Sequence, residues 1–335
     1  MPLMTSLEIF GFTDEHGALR EVLREYFAAT ATTARPDRWR RLLTEVGVDD
    51  LLFGETCSTS VELAILAEES GAALFDGPLV SAAAVGPLAQ QPALTGVAEG
   101  RRAPCVAVSL TGFGDGQTDA YWDYSDDAVV ITQQAAAGET GVAVYGADAI
   151  GLQECSGLDL SRPVGRAAQG NGQPLLECGE DVAAAMRRRA DLVLSAELLG
   201  VAQRVLDGTV DYVSRRVQFG RTIGSFQAVK HRLADMLAQV ELTRSAVYGA
   251  AWQLGDGPVT VQAEVDLAVA AALARQTAVE ATKAAVQLHG GIGITWEHWA
   301  HRYLRRAHAV IALTGAASRH RGRLAGLIDL RDGER

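Results

Sequence analysis

The sequence predicts an α+β protein in three parts: an N-terminal helical domain over 1–103, a small middle β domain over 104–180 and a C-terminal helical bundle over 181–335. Three observations carry this. Apolar residues recur every three or four positions at both ends of the chain, the period of an amphipathic helix. The stretch between them is broken into short β-branched segments punctuated by Gly, Asp and Asn. Near the C-terminus, long apolar-striped runs stop and restart across short connections, as the antiparallel helices of a four-helix bundle do.

In the N-terminal part, Glu15–Ala29 carries Leu19, Val22, Leu23, Tyr26 and Phe27 on one face, and Pro36–Val46 carries Trp39, Leu42, Leu43 and Val46. Ser60 stands where a helix cap is expected, before Val61, Leu63, Ala64, Leu66 and Ala67, and Gly71 reads as the glycine that ends that helix. Leu74 to Leu79, with Asp76-Gly77-Pro78, reads as a turn. Core packing accounts for all of these apolar stripes.

From Pro104 to Glu180 the strand candidates are Cys105–Leu110, Ala128–Thr132 and Gly141–Tyr145, with Gly170-Asn171-Gly172 as a turn, which suggests a mostly antiparallel module. From Glu180 onward the pattern is helical again, and Asp191–Val213 is apolar on one side through Leu192, Leu194, Leu198, Leu199, Ala202, Leu206 and Val210. Val229–Leu254 reads as a second helix, and Pro258 as the opening of a third that runs to His289 and stops at Gly290. About 30 residues of helix span roughly 45 Å.

Bulk properties narrow the function. The formal net charge of -11 argues against nucleic acid, whose phosphates need a basic face. No apolar run reaches the ~20 residues of a membrane span. Met1-Pro2-Leu3-Met4-Thr5 shows no basic region followed by an apolar one, so a signal peptide is not expected. Cys57, Cys105, Cys155 and Cys178 are scattered without CxxC spacing; we expect free thiols in a reducing cytoplasm and no metal site.

Two segments carry chemistry. One is Arg216-Val217-Gln218-Phe219-Gly220-Arg221-Thr222-Ile223-Gly224-Ser225-Phe226-Gln227, followed by Leu233-Ala234-Asp235-Met236. The other is Gln287-Leu288-His289-Gly290-Gly291-Ile292-Gly293, followed by Arg302 and Arg305. A dinucleotide's diphosphate needs a fixed positive charge and backbone N–H donors. Arg216 can supply the charge, and Gly290-Gly291 lets backbone approach closely. Gln218 and Gln287 offer directional hydrogen bonds, and Phe219 an apolar wall. Taken singly, Arg216 reads as well as a solvated arginine, and the glycine pair as a plain helix stop.

Together, and within the α–β–α order, these segments resemble the FAD-dependent acyl-CoA dehydrogenase family. The resemblance is strong from Leu192 to Arg321, moderate over the N-terminal helices and weak through the β module. It implies that Arg216, Gln218, Phe219, Gln287, Gly290 and Gly291 bind the flavin dinucleotide held by a neighbouring subunit. It also implies an acyl-CoA substrate and an electron-transfer flavoprotein that reoxidises the flavin.

The sequence departs from the family at the groups that would serve its own site. Matching forward from Gly290 puts Thr314 where the family's catalytic glutamate stands, and Ala316 and Ala317 where Thr and Ser are usual. Matching back from Gly200 puts Ala190 at the alternative glutamate position. A threonine hydroxyl cannot abstract an α-proton at neutral pH, because a general base needs a pKa nearer the working pH. Asp191, Glu197 and Glu297 are the carboxylates left as relocated bases, each otherwise a solvated or paired side chain. The family's Glu-Pro-containing loop in the β domain is replaced by Ser109-Leu110-Thr111-Gly112-Phe113-Gly114-Asp115-Gly116.

What is retained serves a neighbour's flavin, and what is lost would serve this chain's own. The resemblance therefore extends to the base-lacking subunit of actinobacterial α2β2 enzymes that desaturate steroid side-chain CoA thioesters, and Ala67–Leu79 looks like the same subgroup. On that reading a homologous partner bears the glutamate. Two other readings stay open: a self-sufficient homo-oligomeric flavoenzyme with a relocated base, and a non-catalytic scaffold on the same fold.

Overall fold

A computed structural model describes residues 11–54, 60–111, 120–136, 139–167, 172–255 and 258–332. Cys57, most of the 109–116 loop and the Gly170-Asn171 pair lie wholly or partly outside the described residues.

The N-terminal segment forms α1 (Asp14–Ala29), α2 (Arg35–Val46), α3 (Asp49–Phe53), α4 (Ser60–Ala72), α5 (Leu79–Val85) and α6 (Thr95–Ala98). α1 starts on a reciprocal cap: Thr13 Oγ1 accepts from His16 N–H, while the Thr13 N–H donates to His16 Nδ1. α4 is buried at Val61 and from Leu63 to Gly71, including Glu68 and Glu69. Those carboxylates are held by Arg20 and Arg24 from α1 and by Arg244 and Tyr248 further along the chain.

Two expectations about α4 are corrected. The Ser60 hydroxyl does not cap its own helix but donates to the Leu254 carbonyl, 2.9 Å away. Gly71 does not terminate the helix, which continues to Ala72. It is small because a Cβ there would lie 2.1 Å from the Glu197 carbonyl oxygen.

The middle segment is one seven-stranded sheet of β1 (Pro104–Ala107), β2 (Ala120–Trp122), β3 (Val129–Ala136), β4 (Glu139–Gly146), β5 (Leu152–Cys155), β6 (Val164–Ala167) and β7 (Leu176–Cys178), with the short α7 (Ala147–Ile150). The order is β5-β6-β2-β1-β3-β4-β7, antiparallel except for the parallel pair β1–β3. The three expected strands appear as β1, β3 and β4. The first ends at Ala107, where the chain turns into a 3₁₀ segment, Val108–Thr111, instead of running to Leu110. β5 and β7 escape sequence reading because they are short, partly exposed edge strands with little alternation to detect.

The C-terminal segment contains α8 (Glu180–Arg215), a hairpin of β8 (Val217–Gln218) and β9 (Arg221–Thr222), then α9 (Gln227–Gln253), α10 (Val261–His289), α11 (Ala300–Thr314) and α12 (Ala317–Asp332). α8 begins at Glu180, where the helical pattern was expected to resume, eleven residues before its apolar stripe. Its first turns bury Ala183, Met186 and Ala190 between charged residues, and Arg189 reaches the Ala83 and Leu52 carbonyls. α10 opens at Val261 and not at Pro258, because Thr260 Oγ1 accepts from Ala263 N–H and caps it.

α4 and α8 cross at two glycines. A Cβ on Gly200 would lie 1.8 Å from the Glu68 carbonyl oxygen, so only hydrogen fits there. That crossing buries Glu197 against α4, and it sets the position from which α8 runs out to Arg216.

Candidate functional site

The C-terminal ends of α8 and α10 come together around one cavity. α8 stops because Arg216 takes an extended conformation, while its N–H still donates to the Tyr212 carbonyl. The β8–β9 hairpin then turns through Phe219 and Gly220, both at positive φ (53° and 75°). This is the pairing of signs that a two-residue hairpin loop requires. A phenylalanine at positive φ is strained, yet its ring is 90% exposed and contacts little of its own chain beyond an edge-to-face approach to Phe226.

α10 stops at Gly290, whose φ of 65° and ψ of -146° only glycine adopts readily. A Cβ added to Gly290 or Gly291 would meet nothing within 4 Å, so the turn is open to approach from outside. Arg216, Gln218, Phe219, Gln287, Gly290 and Gly291 are all exposed. Arg216 and His289, the residue before the glycine pair, line one cavity of about 290 Å³. The structure thus brings the two sequence segments to one surface.

The base positions form a second, very different place. Ala190 and Thr314 are both buried. Thr314 Oγ1 donates to the Val310 carbonyl and accepts from Arg275 Nη2 at 2.9 Å. Arg275 is fully buried, and burial opposed by Asp191 brings its pKa down to about 10. Its Nη2 is 3.9 Å from Asp191 Oδ1, while Arg323 Nη1 donates to Asp191 Oδ2 at 2.8 Å. Burial raises the Asp191 pKa above the usual carboxylate value, and the two arginines oppose that rise. His320, buried beside this group, is pushed down to about 3 by burial and by Arg275. Of the other carboxylates considered from sequence, Glu297 is exposed in the turn before α11.

Glu197 lies in a third group. Arg162 Nη2 donates to one of its oxygens at 2.7 Å and Arg306 Nη1 to the other at 2.9 Å. Arg306 also pairs with Asp159 and donates to the Phe75 carbonyl, which ties α11 to the β segment and to the turn after α4. Burial alone would raise the Glu197 pKa, but the two guanidinium groups win and hold it below the ordinary range. A carboxylate so paired is a weak proton acceptor. Arg162 and Arg306 border an apolar cavity of about 220 Å³ walled by Trp122, Leu158, Val310 and Leu313. A larger groove of about 760 Å³ lies between the start of α2 and the β-segment loops, with Arg35, Trp39 and Tyr124 among its walls, and shares none of the glycine-turn residues.

Sequence reading missed Arg162, Asp159, Arg275 and Arg306, which come from separate parts of the chain with no local motif to mark them. It also missed Tyr212 and His298, which flank the glycine turn. Among the described residues, no group of His, Cys, Asp and Glu could hold a metal ion, and no helix is long and apolar enough to cross a membrane.

Comparison with known proteins agrees with this architecture. Residues 182–326 match the model of the acyl-CoA dehydrogenase C-terminal domain. The acyl-CoA dehydrogenase IpdE2 of Mycolicibacterium smegmatis is 35% identical over 84% of this chain and 84% of its own length. FadE34 of Mycobacterium tuberculosis, also an acyl-CoA dehydrogenase, is 32% identical over 94% of this chain, which spans 48% of that longer protein. Among solved structures, a Tcur3481–Tcur3483 steroid ACAD variant superposes with a TM-score of 0.80 at 25% identity, covering 96% of this chain and 99% of that one. The ChsE4–ChsE5 complex of M. tuberculosis superposes at 0.79 and 24% identity, covering 96% and 98%. On the strength of the IpdE2 match and of the domain match from α8 to α12, the chain belongs to the acyl-CoA dehydrogenase family, flavoprotein oxidoreductases whose cofactor is FAD.

Proposed function

We propose that this chain is one subunit of a heteromeric, FAD-dependent acyl-CoA dehydrogenase that introduces an α,β double bond into an acyl-CoA. Bound FAD would accept the hydride from the substrate's β-carbon. This chain contributes Arg216 and the open amides of the Gly290-Gly291 turn to the flavin diphosphate, with Gln218, Phe219 and Gln287 around them. A homologous partner carries the catalytic glutamate and takes the α-proton, and an electron-transfer flavoprotein reoxidises the flavin.

One observation carries the reading. Both base positions are buried and hold Ala190 and Thr314, with Thr314 engaged by Arg275, while the diphosphate residues face outward. The similarity to two-component complexes supports the partner, and the steroid ACAD named among them supports a steroid side-chain CoA thioester as substrate.

The test is expression of the chain alone and with a glutamate-bearing homologue. Alone, it should bind little FAD and desaturate nothing; together, the pair should be yellow and active. Full activity of the isolated chain would overturn the proposal. In the pair, Arg216→Ala should weaken FAD binding by roughly 10-fold to 100-fold, the worth of a hydrogen bond to a charged group. Unchanged flavin content would reduce the chain to a scaffold.

A second reading rests on Asp191, whose Oδ1 accepts no hydrogen bond and whose pKa burial raises. As a relocated base it would make the isolated chain active and Asp191→Asn inactive.

A further inference from the structure

We propose that His289 is a positioning residue for the glycine turn, its ring bonded down onto α10 and stacked on Tyr212 so that Gly290 and Gly291 stay in their open conformation. The inference rests on the reading that this turn meets a flavin diphosphate.

His289 is the last residue of α10 and is 4% exposed. Its Nδ1 lies 2.7 Å from the Ala285 carbonyl. A carbonyl can only accept, so Nδ1 carries the proton, and in the neutral ring Nε2 is left with a lone pair. That Nε2 is buried and has no hydrogen-bond partner.

The ring is gripped on several sides. Tyr212 stacks on it at 4.2 Å between centroids, and Trp299 meets it edge-on at 5.1 Å. The Tyr212 hydroxyl also reaches the His289 carbonyl at 3.4 Å, while the Tyr212 carbonyl accepts the Arg216 N–H. One tyrosine therefore holds both halves of the candidate site: the arginine through its backbone, and the residue before the glycine pair through its ring and hydroxyl. The turn then folds back, since a Cβ on Gly293 would lie 3.0 Å from the His289 Cβ. With its ring held by Tyr212 and Trp299 and its carbonyl by the Tyr212 hydroxyl, His289 fixes the backbone from which Gly290 departs.

The surroundings make the device sensitive to protons. From α8, Asp211, Tyr212, Arg215 and Arg216 share the cavity with the ring, and Arg204 stands over the Trp299 indole. From the segment after the turn comes His298, 4.7 Å away between centroids and itself pushed down by burial and by its neighbours His289 and His301. A proton on Nε2 would be buried without an acceptor and close to like charges. Burial accordingly holds the His289 pKa below the ordinary 6.5. The sign follows: the positioning is complete above the ordinary histidine value and is lost as pH falls through the depressed one.

The experiment measures FAD affinity of the complex with the glutamate-bearing subunit, from pH 8 down to about pH 5, the span over which histidine changes charge. It compares wild type, His289→Asn, His289→Leu and Arg216→Ala. An asparagine amide can still donate to the Ala285 carbonyl, whereas leucine fills space without a donor. We expect Leu to weaken FAD by roughly 10-fold while Asn stays within about 3-fold of wild type. Wild type should lose affinity on the acid side, and Asn should not. Leu binding FAD as well as wild type would overturn the inference. If Arg216→Ala still weakened FAD in that case, the diphosphate reading would stand and only the role of His289 would fall; if Arg216→Ala also had no effect, both would fall. Should the Leu variant not fold, ¹⁵N spectra of wild type decide: a protonated Nδ1 and bare Nε2 at neutral pH are required, and the opposite tautomer refutes the proposal.

Discussion

The glycine turn and the Thr314 neighbourhood are built on opposite principles. At the turn, Arg216, Phe219, Gly290 and Gly291 are exposed, one residue is strained at positive φ, and the backbone is open to an outside group. Around Thr314 and Glu197, charged side chains are fully buried and paired to one another. Strain left exposed and charge sealed inside teach different things. The first is set by the two-residue hairpin loop and leaves the Phe219 ring on the surface, where an outside group can reach it. The second holds the helices and the β segment together, with both oxygens of Glu197 taken up by Arg162 and Arg306.

The comparison breaks most sharply at Glu197. Glu197→Ala leaves Arg162 and Arg306 buried without a shared carboxylate, and breaking a buried pair costs about 3–5 kcal/mol. Urea or thermal unfolding should show that loss. The wild-type contribution should be present above the ordinary glutamate value of 4.5 and disappear as pH falls through the lowered folded value, so the acid limb of stability should flatten in the variant. A small change in stability would mean the network is not structural.

Gly290→Ala should act in the other region and on the other property. Forcing a side chain to φ 65° costs about 1–3 kcal/mol of local strain. Because the turn is open, that strain should appear mainly as weaker FAD binding by the complex, with much of the melting temperature retained. Equal FAD affinity would remove the turn from the site.

Phe219→Gly sharpens the contrast further. Removing a side chain from the left-handed region should stabilise the isolated chain by about 1 kcal/mol while weakening its complex with partner and flavin. A single change that helps folding and harms assembly would mark the residue as kept for the interface; a variant that assembles normally would not.

The smallest expected effect is from Thr314→Glu. A glutamate there meets the buried Arg275 guanidinium, which would pair with it as it now bonds Thr314. Dye-coupled assay of the isolated variant should show no desaturation, since a paired, enclosed carboxylate is not a base. Any measurable turnover would favour a self-sufficient enzyme.

Much of the fold was legible because its signals are local. The stripe through Leu192, Leu198 and Leu206 marks α8, and His289-Gly290 marks the end of α10. The return to helix at Glu180 was legible too, although the apolar stripe begins only at Asp191; the turns before it are held by Arg187 to Glu180, Arg188 to Glu264 and Arg189 to the Ala83 carbonyl. The edge strand β5 carries no alternation because neither of its faces is fully buried. Of the candidate site, Arg216 and the glycine pair were readable as motifs, whereas the tyrosine that joins them was not. Tyr212 looks like any residue on the polar side of a helix until α10 is laid beside it.

The sequence by itself determined the helix periods, the glycines at the turn and the absence of a carboxylate at positions 190 and 314. Each of these is a property of a residue and its near neighbours, and each survives without coordinates. Only the tertiary structure decided what the remaining carboxylates are. Glu197, Asp191 and Glu297 are alike in sequence as carboxylates; one is held charged by Arg162 and Arg306, one is enclosed beside Arg275 and Arg323, and one is exposed. The physical reason is that a carboxylate's proton affinity is set by burial and by partners brought from distant parts of the chain, and neither is written in the residue itself.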